Sequence, residues 1–320
     1  MADLEWYQIE ETEKAGWKFR FMLWSALHLP RRLVECIVAV VVFFFYLGAS
    51  PVRERSRVYL SRVFAVKGKR LPPFAVYRHI LSFAFSMIEK IRGWSGKMSF
   101  GEIEKRDDDR EELENLLASG KGAFVICSHL GNIEALRALT ENHGKFSKRN
   151  CRVYPVVNYS KSGHFCAMLK ELNPDWMRNC IDANSVGADT AIAMYEKIAA
   201  GNLVAIAGDR TSANNRERFV TKKFLGEDAE FPEGAFALAN ILKAPVYFIF
   251  AFRKKDLDLA STYELHVVRA QTPVSGPHRE MPQRMDGLAN EFVGLLERGC
   301  LLHPWQWYNF YNFWKKGKSV

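Results

Sequence analysis

His129 and Glu134 are the two side chains whose types and spacing could do chemistry together. They bracket His129-Leu-Gly-Asn-Ile-Glu134, directly after the apolar run Gly122-Ala-Phe-Val-Ile-Cys-Ser128. An imidazole whose one nitrogen is held by a carboxylate keeps its other nitrogen free as a base near neutral pH. Residues five apart on one continuous helix do not share a face, because helical neighbours are three and four apart. The pair therefore makes sense across a strand-to-helix corner, with Glu134 in the first helical turn reaching back to His129. A lone histidine beside an apolar run can equally be a satisfied core or surface residue, so the surrounding elements decide.

Those elements are consistent with a corner. The run before His129 has the β-branched and aromatic character of a buried strand, and Glu134-Ala-Leu-Arg-Ala-Leu139 reads as a helix opening after Gly131-Asn132. His129 then stands at the carboxyl end of a strand, where ligands bind in α/β sheets. Backbone N–H groups of the following helix start, around Gly131 and Asn132, are expected to serve as oxyanion donors, with Gly131 allowing close approach of substrate.

Downstream come Leu203-Val-Ala-Ile-Ala-Gly-Asp-Arg210, then Phe224-Leu-Gly-Glu-Asp-Ala-Glu-Phe-Pro-Glu-Gly-Ala-Phe-Ala-Leu-Ala-Asn-Ile-Leu-Lys-Ala-Pro-Val246, then His303-Pro-Trp-Gln-Trp-Tyr308 with Trp314-Lys-Lys316. In this order, and over about residues 20 to 316, the chain resembles the lysophospholipid acyltransferase superfamily, and within it the lipid A late acyltransferase branch, some of whose members serve aryl-polyene or other lipid pathways. His129 and Glu134 match the superfamily's His-x4-Asp/Glu signature. The resemblance implies that His129, oriented by Glu134, deprotonates an acceptor hydroxyl for direct attack on a thioester; spacing alone leaves a covalent route open. It also implies acceptor-binding residues at Asp209 and Arg210, and with less sequence likeness at Arg178, whose alternative is a surface ion pair. The branch usually shows Asp-Gln where this chain has Asp209-Arg210, which leaves the acceptor open. Arg210 would suit a phosphate through its planar fork of donors.

The acyl donor implied is an acyl-carrier-protein thioester and the acceptor a hydroxyl or amine of a membrane amphiphile, lipid A-type or a related glycolipid; a coenzyme A thioester as donor, in a glycerolipid or aryl-polyene-lipid acyltransferase, is the alternative. A lipid thioesterase or hydrolase using the same base, and a non-enzymatic membrane binding protein, are the competing classes. No metal is expected and no tightly bound cofactor: the acids of Gly226 to Gly234 lack calcium-loop spacing and read as a solvated loop. Six cysteines show no zinc spacing, and Cys127, two residues before His129, has no other feature of a thiol protease.

The 320 residues carry a formal net charge of +9, with 48 % hydrophobic and 25 % charged residues, an ordinary globular composition. Arg53, Arg55, Arg57, Arg62, Lys67, Lys69 and Arg70 face one acid, Glu54, between residues 51 and 70. No nucleic-acid motif accompanies these charges, and they flank the most apolar segment, so an anionic membrane is the partner expected and nucleic acid is not. Leu33 to Ala49 has seventeen residues and a single charge, Glu35. As a helix it is about 25 Å long, near the lower limit for a hydrocarbon core of about 30 Å. Basic residues on both sides fit a monotopic insertion at least as well as a crossing, and a buried core helix is the alternative. A cleaved signal peptide is not expected, because some thirty mixed residues come first.

Strands expected at Arg152–Val157, Leu203–Ala207 and Val246–Phe252 alternate with helices at 107–117, 162–172, 187–200 and after Phe231-Pro232-Glu233. This predicts an α/β fold with a mostly parallel central sheet flanked by helices and an N-terminal membrane-associated helical segment. Residues 1–70 are expected to anchor, and 71–320 to form the acyltransferase domain. Trp305, Trp307, Tyr308, Phe310, Tyr311, Phe313 and Trp314 beside terminal lysines read as a membrane-docking end, with core packing as the alternative. The bacterial inner membrane, with the site on its cytoplasmic side, is the expected location.

Overall fold

The computed structural model describes residues 17–95, 103–105, 109–132, 151–157, 178–183, 186–210 and 218–314. Strands β1 (Ile103–Lys105), β2 (Ala123–Cys127), β3 (Val153–Val157), β4 (Ile181–Asp182), β5 (Leu203–Ala207), β8 (Val246–Arg253) and β9 (Tyr263–Arg269) form one sheet. Its order is β1-β9-β8-β2-β5-β3-β4. Every neighbouring pair is parallel except β8 with β9. The expected mixed α/β fold with a mostly parallel sheet is thus present.

Periodicity explains how β2 can be buried throughout. Phe124 and Ile126 face one core, with Phe248, Phe250 and Phe292, while Ala123 and Val125 face the other, with Leu113, Leu117, Tyr247 and Ile249. Alternation places successive side chains on opposite faces, and helices cover both. On the first face lie α7 (Gly234–Leu242) and α8 (Met281–Leu302), and on the second α5 (Arg110–Ala118); α6 (Ala188–Ala199) packs beside α7 and β5.

Before the sheet comes an arm of four helices, α1 (Trp17–His28), α2 (Arg31–Gly48), α3 (Ser50–Val66) and α4 (Ala75–Trp94). The arm is tied to the sheet by buried polar groups of α4. Glu89 accepts from Arg253 Nε at 2.8 Å and from a terminal nitrogen at 3.0 Å, and both side chains are almost completely buried. Arg253 also donates to the Asp256 carbonyl. A paired, hydrogen-bonded guanidinium tolerates such burial; either partner alone would not.

Helix α2 presents Val40, Val41, Phe43, Phe44, Phe45 and Leu47 to the outside, with Phe44 at 67 % exposure. Its single acid is turned the other way: Glu35 accepts from Leu259 N–H at 2.6 Å and pairs with Arg32 at 2.9 Å. Among the described residues no single helix is long and apolar enough to cross a membrane. By length and composition α2 and α3 could do so together, but they bend by 99° at their junction, where Pro51 opens α3.

Among the described elements, β1, β4, β9, α8 and a hairpin of β6 (Phe219–Phe224) and β7 (Glu227–Pro232) lie outside the sequence reading. The stretch from Gly226 expected to be a solvated loop is strand β7, with Glu227 bonded to Arg62 at 2.6 Å. The turn is made by Leu225 (φ 51°) and Gly226 (φ 88°), the paired left-handed conformation of a tight hairpin. Leucine is not a turn residue; its burial at 2 % exposure and a 2.6 Å bond from its N–H to Glu297 hold it there. The helix expected at 162–172 lies outside the described residues. The C-terminal rings turn inward: Trp307, Tyr308 and Phe313 are buried, and Trp305, Phe310, Tyr311 and Trp314 pack against the core.

Candidate active site

Strands β2 and β5 run parallel with Cys127 level with Ala207. The register persists beyond both ends, since Gly208 N–H donates to Cys127 O at 2.8 Å. Two residues past each strand end, His129 and Asp209 meet. His129 Nδ1 lies 2.8 Å from Asp209 Oδ1, and His129 N–H donates to Oδ2 at 2.9 Å. A carboxylate only accepts, so the imidazole proton belongs on Nδ1 and Nε2 keeps its lone pair. Trp307 Nε1 donates to Oδ2 at 3.0 Å, giving the carboxylate a third donor.

Exposure separates the two roles. Asp209 is 1 % exposed, whereas the His129 side chain retains 31 %. Burial pulls the Asp209 carboxyl upward, but the adjacent imidazole, Arg210 and the indole N–H together hold it below the ordinary carboxylate range. Burial and then the Arg210 cation lower the His129 imidazole from its usual 6.5, against the opposing pull of Asp209. A neutral imidazole at pH 7, fixed in one tautomer with Nε2 unprotonated, is equipped to take a proton.

The loop after His129 is braced through its backbone. Leu130 N–H donates to Ser128 Oγ at 3.1 Å, Gly131 N–H to Gln306 O at 2.9 Å and Asn132 N–H to Ala251 O at 2.8 Å. The N–H groups expected to receive an oxyanion at Gly131 and Asn132 are therefore spent within the fold. Gly131 is glycine for a backbone reason: its φ is +78° and a Cβ would lie 2.1 Å from Ala251 O. The Asn132 side chain, 1 % exposed, donates to Tyr263 Oη at 3.3 Å.

Arg210 donates to Tyr308 O at 2.6 Å, and its guanidinium carbon lies 6.0 Å from the Tyr311 ring centre. Tyr311 in turn donates to Asp209 O at 3.1 Å. The structure thus brings His129, Asp209 and Arg210 together. Arg178 is exposed just before β4, an edge strand three positions from β2 in the sheet. Glu134 lies outside the described residues, and the contact to Nδ1 expected of it is made by Asp209. Cys127 is buried, its thiol directed to Ile206 O at 3.3 Å.

Sequence reasoning assigns Asp209 to the acceptor and Trp307 to a membrane-docking end or to core packing; it misses Asp209 as the partner of His129 and Trp307 as a donor to Asp209. A signal for Asp209 was available: each stands two residues after a buried strand of equal length. No comparable signal marks Trp307, because its indole reaches Asp209 only through the fold.

None of the curated proteins compared matches the chain significantly. The profile of the bacterial lipid A biosynthesis acyltransferases, however, matches residues 9–316. That match spans nearly the whole chain, arm and sheet alike, and encloses the His129–Asp209 corner: the chain belongs to the bacterial lipid A biosynthesis acyltransferase family and is an acyltransferase.

Proposed function

We propose that this protein transfers a fatty acyl group from an acyl-carrier-protein thioester to a hydroxyl of a lipid A-type amphiphile, with His129 as general base. The observation that carries this reading is the His129–Asp209 pair, in which the buried carboxylate holds Nδ1 while the imidazole stays 31 % exposed at the strand ends, supporting an unprotonated Nε2. His129 Nε2 takes the acceptor's hydroxyl proton as the oxygen attacks the thioester carbon. The C–O bond forms, the C–S bond breaks, and the imidazolium returns its proton to the departing thiolate. The buried Asp209 carboxylate stabilises the imidazolium in between. Glu134 enters the proposal as the second member of the sequence motif, and Arg210 as a cation that acts on the base.

The arm supports a membrane location. The outward apolar face of α2 fits a lipid layer better than water, and exposed Lys67, Lys69 and Arg70 lie just ahead of Phe74, which is 73 % exposed. With Glu35 bound to the catalytic domain and the bend after Gly48, we favour insertion into one leaflet of the inner membrane from its cytoplasmic side. Basic residues on this side would suit an acidic carrier protein, with coenzyme A as the competing donor.

The test is an assay with purified protein, a medium-chain acyl-carrier-protein thioester and under-acylated lipid A in mixed micelles. Thiol release that depends on acceptor and yields lipid heavier by one acyl group supports the proposal. Release without acceptor and with free fatty acid as product would make the protein a hydrolase instead.

A further inference from the structure

Asp209 is held from a second side by a line of hydrogen bonds that begins in the helical arm. Ser56 of α3 lies 2.8 Å from His79 Nδ1, and His79 Nε2 lies 2.8 Å from Trp307 O. The carbonyl can only accept, so Nε2 carries the proton and Nδ1 accepts from the Ser56 hydroxyl. His79 and Ser56 are 0 % exposed. From the same residue the Trp307 indole reaches Asp209 Oδ2 at 3.0 Å.

The main chain of this segment also runs beside the loop carrying the base. Leu130 and Trp307 form an antiparallel bridge, and Tyr308 N–H donates to His129 O at 3.2 Å. The indole is itself caged: the rings of Tyr59, Phe224 and Phe313 lie 5.0, 5.2 and 5.0 Å away, centre to centre. Rings contributed by α3, β6 and the C-terminal segment thus pack around it on several sides.

On the reading that His129 is the base, we infer that Trp307 is a positioning residue for the His129–Asp209 pair, and that His79 fixes Trp307 to the arm, so that the seated arm completes the catalytic geometry. Trp307 touches neither reacting atom; it acts through the carboxylate. A carboxylate oxygen that loses one of its donors is freer to rotate and more basic. It then holds Nδ1 less well aligned while favouring the imidazolium more.

Two measurements test this. In Trp307→Phe the ring remains and the N–H is gone. The expected result is a loss of about 10- to 100-fold in kcat with KM within about twofold, the size of one hydrogen bond to a charged group. In ¹⁵N-histidine spectra of the full chain in micelles, His129, assigned by its absence in His129→Ala, is expected to titrate at least about 0.5 unit higher in Trp307→Phe. The groups facing it, Asp209, Arg210 and Lys90, are unchanged. His79→Gln, whose amide can still donate to Trp307 O, is expected to keep the wild-type titration, and His79→Leu to behave as Trp307→Phe.

An unmoved His129 titration in a folded Trp307→Phe, or equal behaviour of His79→Gln and His79→Leu, would overturn the inference. The spectra need no substrate. Absence of acyl transfer by the wild type would therefore count against the proposed reaction alone.

Discussion

His129 and Asp209 are eighty positions apart in sequence and level in space, because the β2–β5 register that pairs Cys127 with Ala207 runs on for two residues beyond both strands. Gly208 permits that continuation: a Cβ there would come within 3.0 Å of Ile126 Cγ2 and 3.1 Å of Phe292 Cζ. The His129–Asp209 pair is thus a product of strand register.

Asp209→Asn preserves the shape of the side chain while removing its charge, so neither the Nδ1–H tautomer nor the imidazolium is favoured. A loss of about 10⁴-fold in kcat with little change in KM is expected, by analogy with other carboxylate-oriented histidine bases. Steady-state kinetics of Asp209→Asn beside Glu134→Gln will apportion the orienting role. A larger loss for Glu134→Gln would transfer that role to the motif's own acid.

The pH dependence of kcat follows from the lowered imidazole. Because the base must be neutral, activity is expected to be lost as pH falls through a value below the ordinary 6.5. Arg210 contributes to that lowering, so Arg210→Gln is expected to move the acid limb to higher pH. A limb that stays in place in a folded Arg210→Gln would show that the cation does not act on His129.

His79 makes stability depend on pH. Burial lowers its pKa to about 4, against the opposing bond to Trp307 O. Between about 6.5 and about 4 the unfolded chain binds a proton that the folded chain does not, so stability falls as pH drops through this window. The loss is about 3 kcal/mol in all, at 1.36 kcal/mol per unit. Denaturant unfolding of wild type and His79→Gln from pH 7 to pH 4 should show the wild type losing that much more.

Glu89 and Arg253 depend on each other. Glu89→Ala strands a buried guanidinium and is expected to cost about 3–5 kcal/mol, while Glu89→Leu combined with Arg253→Met should recover most of it. Thermal unfolding of both variants checks this. Equal destabilisation would mean that the site cannot accept apolar packing.

The sheet was legible because β2, β5 and β8 are apolar runs that only a strand buried on both faces needs. His129 was legible because it follows one of them. The Asp209 contact to Nδ1 was not: it comes from the end of another strand, and register between distant strands leaves no mark in local sequence, whereas Glu134, which the short-range spacing singled out, lies outside the described residues. Trp307 and its neighbours were read as a membrane surface from composition, since aromatic residues suit a bilayer edge and a protein core alike. Their burial is decided by α3, α4 and the β6–β7 hairpin closing over them. The α2 segment shows the converse, for its apolar length was plain while the turning of Glu35 toward Leu259 was not.

The most direct test of the central claim is mass spectrometry of lipid extracts from the native host lacking this protein and supplied with wild type, His129→Ala or Asp209→Asn, each verified at equal levels in the membrane fraction. The expected result is a lipid A-type species heavier by one acyl group with wild type and strongly diminished with either variant. The same acylated species at wild-type levels with His129→Ala would contradict His129 as the base.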